Sequence, residues 1–122
     1  MPSYYEPQNF LEFADQLLSD KRYEEQGRLR TAIGRAYYAA FLSTKKKLEE
    51  IGFSFRDVER IHREVIEALM NLDYSMGDRL EALRNYRVDA DYKMEASITP
   101  LLGISSVKLS QIIIDSVTRL RR

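Results

Sequence analysis

The chain has 122 residues, and its 19 lysines and arginines equal its 19 aspartates and glutamates. This balance argues against a broad, charge-driven surface for nucleic acid or membranes, although it permits a local basic site. The chain has no cysteine, which excludes disulfides and thiolate metal sites and fits a reducing cytoplasm. We therefore expect one cytoplasmic domain spanning residues 1–122, with no secretion signal and no membrane span.

Apolar residues recur at helical spacing along most of the chain, which only three prolines and five glycines interrupt. The pattern predicts an all-α fold, an up-and-down bundle of four to five helices. The first helix is expected to begin near Pro7, because proline suits the first helical turn. Its predicted apolar stripe comprises Phe10, Phe13, Ala14, Leu17 and Leu18.

The segment from Arg30 to Gly52 is predicted to be the central helix. The preceding run Lys21–Arg28 is either a polar break or the solvated first turns of this helix, and Gly27 is a candidate interruption. A left-handed cap conformation is cheapest for glycine, so Gly52 is a natural end. Tyr38 and Leu42 project away from the main apolar stripe, so this helix is expected to lie between neighbours. The main stripe comprises Leu29, Ile33, Ala36, Tyr37, Ala40, Thr44, Leu48 and Ile51.

Two further helices are predicted after a short connector. The third runs from about Arg56 to Leu72, with a stripe of Val58, Ile61, Val65, Leu69 and Leu72. The fourth runs from about Ser75 to Glu95, unless Gly77 delays its start. Its predicted stripe comprises Met76, Leu80, Leu83, Ala90 and Met94.

A fifth helix is predicted to open at Thr99 and Pro100, because threonine is a good N-cap and proline fits the first helical position. The β-branched run Ile112–Ile114 resembles a strand. We assign it to the helix, since its surroundings keep the helical period and no second strand candidate exists to pair with it.

Charged residues interrupt the apolar stripe of the fourth helix. At 100° per residue, Arg87 and Asp91 project within roughly 20° of Leu80, and Arg84 flanks them. Charges on such a stripe are costly unless paired, and a spacing of four residues lets Arg87 and Asp91 pair within the helix. Three interpretations stay open: an ion pair that fixes helix register, a pair at a dimer interface, or a phosphate site built from Arg84, Asn85 and Arg87.

Other candidate functional residues have ordinary explanations. His62 is the only histidine, and at the edge of an apolar stripe it is more often a core residue than a catalytic one. Tyr37 and Tyr38 suit packing better than base stacking, and Lys45–Lys47 suits a solvated face. The sequence contains no glycine-rich phosphate loop, nucleophile elbow or HExxH motif, so no cofactor or metal is expected.

Three sequence blocks, taken in order, resemble the HEPN family (higher eukaryote and prokaryote nucleotide-binding domain). They are RAYYAAF at Arg35–Phe41, the histidine-containing IHREVIEAL, and LRNYRVDADY, and the resemblance covers most of residues 10–120. The resemblance implies a compact bundle of four or five helices that is usually dimeric. It also implies a gene neighbour that encodes a minimal nucleotidyltransferase.

Some HEPN proteins are toxins or defence ribonucleases. The resemblance implies that these need an arginine, often followed by asparagine, and a histidine separated from the arginine by four to six intervening residues. Arg84 and Asn85 match the first two positions, whereas the histidine window holds Asp89, Ala90 and Asp91. An aspartate titrates roughly two to three units below histidine and repels phosphate, so it is poorly suited to cleaving RNA near neutral pH.

The leading prediction is therefore a non-catalytic or degenerate HEPN-type binding or regulatory module. It would associate with a nucleotide or RNA, form a homodimer, and act with a nucleotidyltransferase-like partner in a toxin–antitoxin or defence system. Its candidate ligand-binding residues are Arg84, Asn85, Arg87, Asp91 and Tyr92. One alternative is a metal-independent ribonuclease that uses Arg84, Asp91 and His62; another is a purely structural dimerising bundle.

Overall fold

The computed structural model describes residues 4–122, which fold into five α-helices. The helices are α1 (Pro7–Leu17), α2 (Glu25–Glu50), α3 (Ile61–Leu72), α4 (Tyr74–Tyr92) and α5 (Pro100–Val117), with a 3₁₀ turn at Val58–Arg60. No strand occurs within the described residues, and the run Ile112–Ile114 is helical. The predicted all-α bundle of four to five helices is confirmed.

The central helix α2 contacts each of the other four helices. Its side chains from Leu29 to Leu48 are buried along the predicted stripe, and no surface is exposed on Ala32, Ala36, Ala39 or Ala40. The helix ends where predicted, because Gly52 adopts a φ of 109° and the Phe53 N–H donates to the Leu48 carbonyl over 2.9 Å.

The start of α2 lies before Arg30, so part of the run Lys21–Arg28 forms the first turn of the helix. The helix begins at Glu25, because the Glu24 carboxylate accepts hydrogen bonds from the backbone N–H groups of Gln26 and Gly27. Gly27 lies inside the first turn and does not interrupt the helix. Of the added residues, Glu25 is exposed, whereas Gln26, Gly27 and Arg28 are half-buried.

Three residues predicted to face the core are exposed instead. Phe13 is 49% exposed, because α1 packs through Leu11, Ala14 and Leu17. Val58 is 83% exposed, since it belongs to the 3₁₀ turn that precedes α3. Met94 is 67% exposed, because α4 ends at Tyr92 and Met94 lies in the following turn.

The helices α3 and α4 form an antiparallel hairpin joined by one residue, Asp73. Asp73 ends α3, and its carboxylate caps α4 by accepting a hydrogen bond from the Met76 N–H at 3.3 Å. Gly77 does not delay the start of α4. A Cβ at this position would lie 2.6 Å from the Met70 backbone nitrogen, so glycine is what allows the two helices to approach so closely.

The helix α5 begins as predicted, with the Thr99 hydroxyl accepting a hydrogen bond from the Leu102 N–H at 3.1 Å. Of the described helices, only α5 is long and apolar enough to cross a membrane, with 18 residues and a mean hydropathy of 1.2. This is weak evidence for a membrane span, since core helices of soluble proteins pass the same test. Here α5 packs against α1, α2 and α4.

Replacing Gly77 with alanine is expected to destabilise the fold by about 1–3 kcal/mol, because the new methyl group would overlap the Met70 backbone. The measurement is urea unfolding followed by circular dichroism. Gly34→Ala is the matched control in a buried helix, since its Cβ would meet only Asp91 Oδ1 at 3.8 Å. Equal stability of the two variants would contradict the close α3–α4 approach.

Candidate functional site

A gap beside α4 results from the different lengths of α3 and α4. The helix α3 has 12 residues and α4 has 19, so α4 extends roughly 10 Å beyond the start of α3. The hairpin places Arg63, near the start of α3, in an ion pair with Glu81 in the middle of α4. The remainder of α4 lies beyond the start of α3. We call the surface at this end the arginine notch, formed by Tyr38 of α2, His62 of α3, and Arg84, Arg87 and Asp91 of α4.

Arg87 and Asp91 form the ion pair that their spacing predicts. Arg87 Nε lies 2.9 Å from Asp91 Oδ2, with 17% and 35% of the two side chains exposed. The Nε–H does not point at the carboxylate, so the contact is mainly coulombic. Arg87 also donates to the Tyr38 hydroxyl over 3.3 Å and lies over the Tyr38 ring. The pair is half-buried at an open position rather than sealed in the core.

Arg84 is the cation without a counter-charge in the notch. Its side chain is half-buried, and its Nε is buried with no hydrogen-bond partner. Within residues 4–122, no carboxylate lies within ion-pair distance of its guanidinium. A buried donor without a partner is costly, so this position favours a bound acceptor. Two arginines face one aspartate, which leaves one positive charge in excess.

His62 lies at the α3 end of the notch. Its Nδ1 is 2.7 Å from the Tyr37 hydroxyl oxygen, and its ring stacks on Phe41 with centroids 4.3 Å apart. Burial lowers the pKa of His62 below its ordinary 6.5, and the positive charges of Arg84 and Arg87 lower it further. His62 is therefore a neutral imidazole at pH 7.

Tyr37 is fully buried beneath His62. Burial raises the pKa of Tyr37 well above 10, although the nearby charges of Arg84 and Arg87 act in the opposite direction. The hydroxyl therefore keeps its proton and can donate it in a hydrogen bond.

The structure gathers only some of the residues that the sequence nominated. Arg84, Arg87 and Asp91 share one side of α4, and His62 joins them from α3. Asn85 and Tyr92 are exposed, with Tyr92 at 69%. They project roughly 120–140° from Leu80 on the helical wheel, outside the notch.

Sequence reasoning missed the role of the tyrosine pair in α2. Tyr37 and Tyr38 were expected to be packing residues, yet each holds a polar group of the notch, His62 and Arg87 respectively. Arg35 also lies over the Tyr38 ring, 4.9 Å from its centroid. The only available signal was that two adjacent tyrosines must face different neighbours, which identifies no partner.

The large cavities lie away from the notch. One of about 450 Å³, between α1 and the start of α2, is lined by residues that include Phe13, Tyr23 and Arg28. Its cations are already engaged, since Arg28 donates to the Leu18 carbonyl and Arg22 pairs with Asp20 at 2.7 Å. We favour the notch over this larger space because the notch holds an unneutralised guanidinium.

Among residues 4–122, no group of three or more histidine, cysteine, aspartate or glutamate side chains is arranged to hold a metal ion. Comparison with known proteins found no matching family model and no matching curated protein.

The pKa of His62 is expected to lie below 6.5 and to rise in Arg84→Gln, because that change removes one of the two positive charges that lower it. The measurement is a proton NMR titration, which is unambiguous since the chain has one histidine. Unfolded chains take up this proton at the ordinary pKa, so folding stability should fall as the pH drops below 6.5.

Arg79→Gln is the matched control for that titration, because Arg79 is an exposed arginine of α4 outside the notch. It should leave the pKa of His62 unchanged. An unchanged pKa in Arg84→Gln as well would show that Arg84 does not act on the histidine.

Proposed function

We propose that this chain is a HEPN-type helical module that binds a phosphate group of a nucleotide or RNA in the arginine notch without cleaving it. The observation that carries the proposal is Arg84, a half-buried guanidinium with no carboxylate partner in the described structure. A phosphate oxygen would supply both the missing acceptor and the missing negative charge. The sequence resemblance to the HEPN family supports the same class of ligand.

The chemistry of the notch suits one phosphate group. A guanidinium offers a planar fork of donors that matches two phosphate oxygens at once. Arg87 already has contacts with Asp91 and Tyr38, which hold it in place beside Arg84. The single excess positive charge equals the single negative charge of a phosphodiester. Asp91 opposes a second negative charge nearby, which limits how strongly the notch attracts anions.

The exposed aromatic ring closest in sequence to the notch belongs to Tyr92. It is 69% exposed at the end of α4, one residue after Asp91. Exposed aromatic rings stack readily on nucleobases. Tyr38 is less suited to that role, because its ring already has Arg35 and Arg87 against it. Because Tyr92 projects outside the notch, we assign the phosphate contact to the arginines and no base contact to either tyrosine.

Two features argue against cleavage. Asp91 occupies the window in which catalytic HEPN proteins carry histidine, and its carboxylate is engaged by Arg87. His62 is neutral, but the Tyr37 hydroxyl occupies its Nδ1. The described residues thus hold a ligand better than they transfer protons to it.

Arg84→Gln is expected to weaken binding of ADP and of a short single-stranded RNA by about tenfold or more, because a charge-assisted hydrogen bond is lost. Calorimetry or NMR titration measures the affinity. Arg79→Gln changes the same residue type on the same helix outside the notch and should bind as the native chain does. Equal weakening by both variants would mean that binding depends on overall charge and not on this site.

A metal-independent ribonuclease is the second candidate. The observation that favours it is the position of His62, which the sequence left unplaced and the fold brings to the α4 arginines. RNA incubated with the purified chain should stay intact under our proposal. Cleavage that disappears in both Arg84→Ala and His62→Ala would mean that the chain is a ribonuclease, in place of the non-cleaving module that we propose.

The proposed partners follow from the HEPN resemblance. We propose a cytoplasmic homodimer that works with a nucleotidyltransferase-like protein, as toxin–antitoxin and defence systems do. The expected result is a dimer mass at micromolar concentration and co-purification with a nucleotidyltransferase encoded beside it. A strictly monomeric mass would refute the dimer, and repeated failure to co-purify would refute that partner.

A further inference from the structure

The direction of the hydrogen bond between Tyr37 and His62 follows from burial. The Tyr37 hydroxyl has no exposed surface, and within residues 4–122 its hydrogen-bond partner is His62 Nδ1 at 2.7 Å. If Nδ1 donated the proton, the tyrosine hydrogen would be buried with no acceptor, which is costly. The tyrosine therefore donates and Nδ1 accepts. A neutral imidazole with an accepting Nδ1 carries its proton on Nε2.

The orientation of the ring is fixed as well. Phe41 stacks on it at 4.3 Å and Tyr37 holds one nitrogen, so the ring has little freedom to turn. His62 is half-buried, and its Nε2 has no hydrogen-bond partner among the described residues. The imidazole thus presents one unused N–H donor at the end of a notch that already holds two guanidinium groups.

We infer that Tyr37 fixes His62 in the Nε2–H tautomer and that His62 is the third donor to the phosphate bound by Arg84 and Arg87. The inference rests on the proposed function and deepens it by making binding sensitive to protons. Tyr37 acts as a positioning residue, and His62 contacts the ligand.

The charges around His62 determine how this donor responds to a ligand. The groups that face it are Tyr37 and Tyr38 on α2 and Arg84 and Arg87 on α4. Arg63, its neighbour on α3, is held by Glu81. In the free protein the two α4 arginines oppose a positive imidazole. A bound phosphate would offset their charge and raise the pKa of His62, so binding should take up a proton. That proton enters Nδ1 and reverses the hydrogen bond to Tyr37, at a cost that lowers the pKa of His62 in the free and bound states alike.

The experiment uses the full chain labelled with ¹⁵N on histidine. The ¹⁵N shifts of the single imidazole report its tautomer, and a pH titration reports its pKa with and without ligand. The probes are the dinucleotide UpU, whose phosphodiester keeps one charge between pH 5.5 and 7.5, and AMP, which carries a terminal phosphate. UpU binding would indicate an RNA backbone as the source of the phosphate, and AMP binding alone a nucleotide.

Support would be a free protein in the Nε2–H tautomer and a pKa of His62 that rises by about one unit on saturation with either probe. Affinity for UpU should then increase by up to about tenfold per pH unit as the pH falls between the free and bound pKa values. His62→Gln should bind UpU within about twofold of the native chain at pH 7.5, because its amide also donates, but should lose the pH dependence.

Tyr37→Phe tests the positioning role, with Tyr86→Phe as a matched half-buried tyrosine. The first should mix the tautomers and weaken UpU binding about threefold at pH 7.5, and the second should change neither. If Tyr37→Phe proves unfolded by circular dichroism, His62→Gln and the tautomer measurement still decide the question.

Two results would overturn this inference without overturning the proposed function. These are an Nδ1–H tautomer in the free protein, or a probe that binds through Arg84 while the pKa of His62 stays unchanged. In both cases weakening by Arg84→Gln would leave the proposed function standing. Failure of both probes to bind at millimolar concentration would overturn the proposed function and this inference together.

Discussion

Close packing around α2 is the constraint on which the rest of the structure depends. Every other helix contacts α2, and its four alanines have no exposed surface. Small side chains at these positions let neighbouring backbones approach closely, so larger side chains would not fit there. The notch depends on the same helix. Gly34 places only backbone opposite Asp91, and Tyr37 and Tyr38 form hydrogen bonds with His62 and Arg87 respectively.

The candidate site arises because charged residues lie on the apolar stripe of α4 at a point that α3 does not cover. The helical wheel places Arg87 and Asp91 on the buried side of α4, where charge is expensive. The fold resolves this by making α3 too short to cover them. The two side chains keep 17% and 35% of their surface exposed, enough for water to share the cost of their charges. Because α3 is short, α4 can carry charged residues on the same stripe whose first part is buried in the core.

Helical periodicity was sufficient to predict the fold class, the five helices and most of the core, because each helix buries a stripe of fixed spacing. Helix ends were less predictable. Val58 and Met94 continue the apolar period but fall outside the helices, since capping by Asp57 and the end of α4 at Tyr92 intervene. The spacing of apolar residues alone does not show at which residue the helical backbone hydrogen bonds end.

The site was predictable only in part. The Arg87–Asp91 pair follows from spacing within one helix. The approach of His62 to Arg84 depends on the register between α3 and α4, which a one-residue turn at Asp73 and a glycine at position 77 determine. Contacts between helices of this kind leave no local signature in the sequence. The family resemblance pointed to Arg84 and Asn85 together, whereas the fold separates them onto different sides of α4.

Asp73 serves both helices of the hairpin, and this affects how α3 and α4 can move. Because one residue both ends α3 and caps α4, no loop separates the two helices, and we expect them to move together. The hairpin joins the rest of the chain through residues 51–60 and residues 93–99, where most side chains are half-buried or exposed. A shift of α4 relative to α2 is therefore expected to carry α3, and with it His62, along with the α4 arginines.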